Sequence, residues 1–148
     1  MPTNLYGPGD NYHPTQSHVM AALIKKFCEA VNESSSSVTC WGSGYPLREF
    51  LHVDDLASAC LYLMKNYESK DHINVGTGKD ITIEELAKMI ASIIEFKGKI
   101  VWDNSKPDGT FRKVLDISKL KKLGWNPTIS INEGLKKTID WYKEKNYH

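Results

Sequence analysis

The sequence predicts an α/β protein with a small sheet and covering helices, rather than a complete doubly wound sheet. Helical and strand-like patterns alternate along the 148 residues, the strand-like runs are short, and capping residues punctuate the helical runs. Val19, Met20, Leu23, Ile24, Phe27, Cys28 and Val31 recur at helical spacing, with Ser17 placed to cap them, and predict a helix near 17–31. After the polar break Ser34 to Ser37, Val38-Thr39-Cys40-Trp41 reads as a strand. A Gly-rich turn over 42–46 leads to a second strand, Phe50-Leu51-His52-Val53. Asp54-Asp55 then open a helix carrying Leu56, Ala59, Cys60, Leu63 and Met64. Ile73-Asn74-Val75 reads as a strand ending in Gly76-Thr77-Gly78. Thr82 and Glu85 form a capping box for a helix reaching about Phe96. Lys99 to Trp102 is a strand, and Ser118 to Leu123 a short helix closed by Gly124. Ser130 and Glu133 form the capping box of a last helix with Leu135, Ile139 and Tyr142 inside.

Length and composition bound the function. A chain of 148 residues fits one domain and can bury a sizeable core. Charged residues make up 25% and hydrophobic ones 41%, as in an ordinary globular protein. The net charge is +1 with no basic stripe, which argues against nucleic acid as the main partner. No apolar run approaches the ~20 residues of a membrane span, and no signal peptide precedes the first loop, so the expected location is cytoplasmic. Cys28, Cys40 and Cys60 are too scattered for a disulfide framework or a metal site and read as buried free thiols.

Several residues are candidates for chemistry. Pro2 to Asn11 form a loop dense in Pro, Gly, Asn and Asp, of the kind that follows a strand and leads into a helix. His18 lies at a helix start beside it, where an imidazole can donate and accept protons near neutral pH. His13, His52, His72 and His148 stand in no chemical pattern. Arg48, after a turn, suits a phosphate, because its planar fork makes two charge-assisted hydrogen bonds at once. Trp41 could stack on a base or sugar, although a core Trp is the plainer reading. Lys26 reads first as a solvated helix residue. Asp54-Asp55 read first as capping and dipole residues, and only second as an acid/base pair. Gly76-x-Gly78 resembles the opening of a dinucleotide fingerprint, but its third Gly would fall at Ile81, so a plain turn is expected. Lys106-Pro107-Asp108-Gly109-Thr110 reads as a tight turn whose Asp108 could accept from sugar hydroxyls.

Taken together, these pieces resemble one family. Tyr6-Gly7-Pro8, Arg48-Glu49-Phe50-x-x-Val53-Asp54-Asp55 and Val75-Gly76-Thr77-Gly78 are similar to extended short-chain dehydrogenases acting on nucleotide sugars. Asn4-Leu5-Tyr6-Gly7-Pro8-x-Asp10-Asn11, Ser17-His18-Val19 and Lys106-Pro107-Asp108-Gly109-Thr110 narrow the resemblance to the GDP-L-fucose synthase family, over its C-terminal half. The resemblance implies the substrate-binding part of an extended short-chain dehydrogenase plus the last Rossmann elements, across residues 1–148. It implies an enzyme that epimerises GDP-4-keto-6-deoxy-D-mannose at C3 and C5 and reduces its C4 ketone with NADPH, giving GDP-L-fucose. Pro2, Thr3, Asn4, Leu5 and His18 match the NADP(H)-contacting positions. His18 also matches the acid/base His. Lys26, Trp41, Arg48 and Asp108 match substrate-contacting positions.

The departures matter as much. The Gly-rich NADP-binding turn and the Tyr-x-x-x-Lys pair are not in this sequence; Tyr62 and Tyr142 each have Lys three residues on, not four. The family's partner Cys matches none of Cys28, Cys40 or Cys60. The expectation is a segment inactive alone, with apolar faces exposed and a tendency to self-associate or to need the other half; the whole protein is expected to be a homodimer. Two other readings stay open: a non-catalytic GDP-sugar-binding module, and another nucleotide-sugar epimerase or dehydratase.

Overall fold

In a computed structural model that describes residues 1–147, the amphipathic runs form helices and the apolar runs form two small sheets. His148 lies outside the described residues. In chain order the elements are β1 (Asn4–Tyr6), α1 (Val19–Asn32), β2 (Ser37–Trp41), β3 (Leu47–His52), α2 (Val53–Asn66), β4 (Asp80–Thr82), α3 (Ile83–Ile94), β5 (Lys99–Asp103), β6 (Arg112–Lys113), α4 (Ser118–Leu123) and α5 (Ile131–Asn146).

The larger sheet is built around β3. Its second half runs parallel to β1, with Asn4 opposite Phe50 and Tyr6 opposite His52. Its first half is flanked by antiparallel β4 and parallel β6. The smaller sheet pairs β2 with β5 in parallel. The apolar faces of α1, α3 and α5 close over one core, in which Ile24, Phe27, Leu86, Ile90, Leu135 and Ile139 are fully buried. Each such side chain stabilises the fold by about 1.5–3 kcal/mol through burial. A second core under α2 gathers Leu51, Ala59, Val75, Leu120 and Trp125.

Several expectations shift. α1 begins two residues after Ser17, and His18 rather than Ser17 is its N-cap, with no side-chain bond. β3 begins three residues earlier than Phe50, which puts Arg48 and Glu49 inside the strand. The predicted strand over 73–75 shrinks to a single bridge, Val75 to Pro2, because only that pair meets in register. α3 keeps its capping box and stops at Ile94, where Glu95 turns left-handed at φ 62°. Ser130 caps α5 through the Glu133 N–H, but the Glu133 carboxylate pairs with Lys137 instead of closing the box. The hydrogen-bonded turn after β5 closes from Asp103 to Lys106, ahead of the predicted Lys106–Thr110 turn. Cys28 and Cys40 are buried free thiols as expected, whereas Cys60 is exposed on α2, beside Leu61 and Met64. Among the described residues, no helix is long and apolar enough to cross a membrane.

Candidate functional site

One face of α1 and the end of β2 enclose a cleft of about 270 Å³. Val19, Ala22, Leu23 and Lys26 line it from the helix, at the i, i+3, i+4, i+7 spacing of a single stripe. Cys40, Trp41 and Trp102 line it from the smaller sheet. The alternation along β2 buries Val38 and Cys40 and turns Trp41 outward, leaving it 62% exposed. Lys26 Nζ donates to the Thr39 carbonyl at 2.9 Å and stands 5.2 Å from the Trp41 ring centre. Lys106 Nζ approaches the same ring to 5.7 Å. An exposed indole with two ammonium groups is a surface on which an anionic ligand carrying a flat ring can settle. Ser17 and Val19, the neighbours of His18, also line this cleft, and the exposed His18 ring is not used as a helix cap.

Trp41 leads into a turn with Gly42 and Gly44 both at φ 81°, a conformation that favours glycine. Ser43 inside that turn donates its N–H to Asp108 Oδ1 at 2.6 Å and its hydroxyl to Oδ2 at 2.7 Å. The Ser43 amide, then its hydroxyl, hold the Asp108 carboxyl below the ordinary carboxylate value. Asp108 thus latches the 106–110 segment to the Trp41 turn. The Arg48 guanidinium lies beside that segment: a Cβ on Gly109 would stand 3.6 Å from its Nη2. Arg48 opens on a second cleft of about 450 Å³, with Lys79 and Ser130 also on its wall. Lys26, Trp41 and Asp108 therefore gather around one turn, while Arg48 lies beside Gly109 and opens on the second cleft.

The opening loop meets β3. Thr3 N–H donates to the Val75 carbonyl at 3.0 Å. The Thr3 hydroxyl and the Asn4 side-chain amide both donate to the Glu49 carbonyl, at 3.3 and 2.8 Å. Leu5 pairs with Leu51. Glu49 itself is the residue that sequence reasoning passed over. It is fully buried, and its carboxylate accepts from the N–H groups of Thr77 (2.6 Å), Gly78 (2.7 Å) and Leu115 (2.8 Å). The available signal was a lone acid flanked by Arg48 and a run of apolar residues. The same bonds explain Gly76-x-Gly78: its N–H groups point at a carboxylate, so they cannot cradle a phosphate. Gly76 has no Cβ because one would run into Glu49 Oε1.

The paired acids separate. Asp54 stays at the exposed start of α2, as a dipole residue should. Asp55 is buried and accepts from Thr128 N–H, Thr128 Oγ1 and Ile129 N–H at 2.9–3.0 Å, which anchors the segment entering α5. His52 is 1% exposed, accepts the Asp54 N–H on Nδ1 and packs edge-on against Tyr6. Burial pushes the Cys28 thiol up to about 11 and raises Cys40 as well, so neither is a ready nucleophile. Among the described residues, no three acidic, His or Cys side chains gather in a way that could hold a metal ion.

The model of the NAD-dependent epimerase/dehydratase family matches residues 1–76. The chain is 54% identical to GDP-L-fucose synthase 1 of Arabidopsis thaliana, over 96% of this chain and 44% of that protein. It is 50% identical to the GDP-L-fucose synthase of Escherichia coli (strain K12), over 97% of this chain and 48% of that protein. A GDP-L-fucose synthetase from Naegleria fowleri, solved with NADP bound, superposes with a TM-score of 0.91 at 32% identity, over 97% of this chain and 46% of the other. The chain thus spans less than half the length of each relative.

Proposed function

The chain belongs to the NAD-dependent epimerase/dehydratase family, and from that premise we propose that residues 1–148 form the substrate-binding segment of a GDP-L-fucose synthase. The substrate class is a GDP-linked 4-keto-6-deoxy sugar, and the whole protein's reaction is 3,5-epimerisation followed by 4-reduction with NADPH. The observation that carries this reading is the gathering of Lys26, Trp41 and Asp108 around one turn, with Arg48 beside the same segment.

Each residue has a role its chemistry suits. Arg48 takes the diphosphate, where a planar guanidinium can bind two oxygens. Trp41 supplies a flat apolar face and Lys26 a positive charge beside it. Asp108 keeps the turn in place and has lone pairs left for sugar hydroxyls. His18, exposed and not engaged as a cap, moves protons at the carbons next to the ketone.

The cofactor fits this chain in part. Pro2, Thr3, Asn4 and Leu5, with His18, would face the nicotinamide end, and the Asn4 carbonyl oxygen is left to accept because its amide nitrogen is the bonded atom. NADPH when bound supplies the hydride for the ketone. The pyrophosphate finds no cradle at Gly76-Thr77-Gly78, whose N–H groups Glu49 occupies. The three unpaired cysteines support a cytoplasmic setting.

Calorimetric titration with GDP-mannose tests the reading. Binding in the micromolar range is expected, weakened about tenfold or more in Arg48→Ala by loss of a charge-assisted pair. Millimolar or absent binding, or an Arg48→Ala variant that binds as well as the parent, contradicts it. The second reading, a GDP-sugar-binding module without catalysis, is favoured by the grouping of Trp41, Asp108 and Arg48, which can hold a nucleotide sugar without a hydride donor. Turnover of the ketosugar with NADPH by the purified chain would exclude it.

A further inference from the structure

Glu49 is an ionisable side chain with no exposure, and its carboxylate bonds to none of the residues proposed above to hold ligand. Buried carboxylates that satisfy turn N–H groups are most often structural. What sets Glu49 apart is the set of segments it joins. Oε1 accepts from Thr77 and Gly78, which lead into β4. Oε2 accepts from Leu115, which leaves β6. Those two strands flank β3 on either side of Arg48, whose partners in register are Ile81 and Lys113. The carbonyl of Glu49 accepts from Thr3 and Asn4, in the segment assigned above to the nicotinamide. One residue therefore bonds to both neighbours of the Arg48 strand and to the opening loop.

We propose that Glu49 is a positioning residue: its buried carboxylate and carbonyl hold the Arg48 anion site and the Thr3-Asn4 segment in one register. The inference rests on the functional reading above. Arg48 and Phe50 point to one face of β3 and line the second cleft, whereas Glu49 points to the other face. It does not neutralise the guanidinium; its negative charge is met by three N–H donors. A neutral amide could not replace it in full. A Gln offers one acceptor oxygen and one NH₂, so either the 77–78 amides or the Leu115 amide would face a donor.

The test is a titration of GDP-mannose into the isotope-labelled chain, followed by amide NMR, with Glu49→Gln alongside. It is run at a temperature where both proteins are fully folded by circular dichroism. In the unmodified chain, the Gly78 and Leu115 amides are expected to shift on saturation, although neither residue lines the clefts at Trp41 or Arg48. Glu49→Gln is expected to bind about tenfold more weakly and to lose the ligand-induced shift of the Asn4 side-chain amide. A purely structural role would lower the melting temperature and leave the affinity of the folded protein unmoved. A folded Glu49→Gln chain that binds like the parent overturns the inference. Should that variant not fold, the parent's amides decide: unmoved Gly78 and Leu115 signals at saturation overturn it, and shifted signals support it. A parent chain that does not bind GDP-mannose at all overturns the functional reading, and this inference with it.

Discussion

Ser43 gives Asp108 both of its donors, and the sign of the resulting pH dependence follows. The folded carboxyl titrates below the ordinary value of 3.8. The latch is therefore fully present above that value and is lost as the pH falls through the lower folded one. Asp108→Ala is expected to release the 106–110 segment and remove this acid-side dependence, measured as nucleotide-sugar affinity in the parent and variant down to that range. Gly76 is a second single-residue control. A methyl there would push into Glu49, so Gly76→Ala is expected to destabilise the fold by about 1–3 kcal/mol of overpacking, read from urea unfolding. The cysteines divide by position. Native iodoacetamide treatment should modify Cys60 alone, and denaturant should expose all three; mass spectrometry counts the adducts.

Among the elements, α2 shows how far local signals reach. Asp54 and Asp55 look alike in sequence, yet only Asp55 bonds to a segment 73 and 74 residues away. Asp55→Ala leaves three neutral donors without a partner and is expected to cost about 2–4 kcal/mol, the penalty of buried donors left unsatisfied. Asp54→Ala should stay within about 0.5 kcal/mol. Thermal melts of the two variants check this. The helices α1, α3 and α5 were legible because periodicity and caps are local. The strands β4 and β6 were not: three and two residues long, they exist through register with β3 rather than through their own composition. Glu49 escaped for the same reason, since its partners lie 28, 29 and 66 residues away. Cys60 reads in sequence as a buried thiol because it belongs to an apolar helical pattern, but α2 turns it outward, as it does Leu61 and Met64. Lys26, Trp41, Arg48 and Asp108 were individually ambiguous, and only the family resemblance of the motifs around them singled them out.

At the scale of the whole molecule, two exposed features lend themselves to test. Leu61 and Met64 are 63% and 82% exposed on one face of α2. The chain is therefore expected to self-associate as its concentration rises, and Leu61→Lys with Met64→Lys to suppress this in sedimentation; a monodisperse parent at high concentration contradicts it. The other feature is Trp41, an exposed aromatic ring attended by Lys26 and Lys106. If this turn is where a nucleotide sugar rests, the indole must sense it. The most direct measurement is the quenching of intrinsic tryptophan fluorescence by GDP-mannose, compared between the parent and Trp41→Phe. A saturable quench is expected in the parent and is largely lost in Trp41→Phe, leaving at most the response of Trp102 on the same cleft, while Trp125 and Trp141 report a folded chain in both. A parent without a saturable response, or a Trp41→Phe chain with an undiminished one, would contradict that expectation.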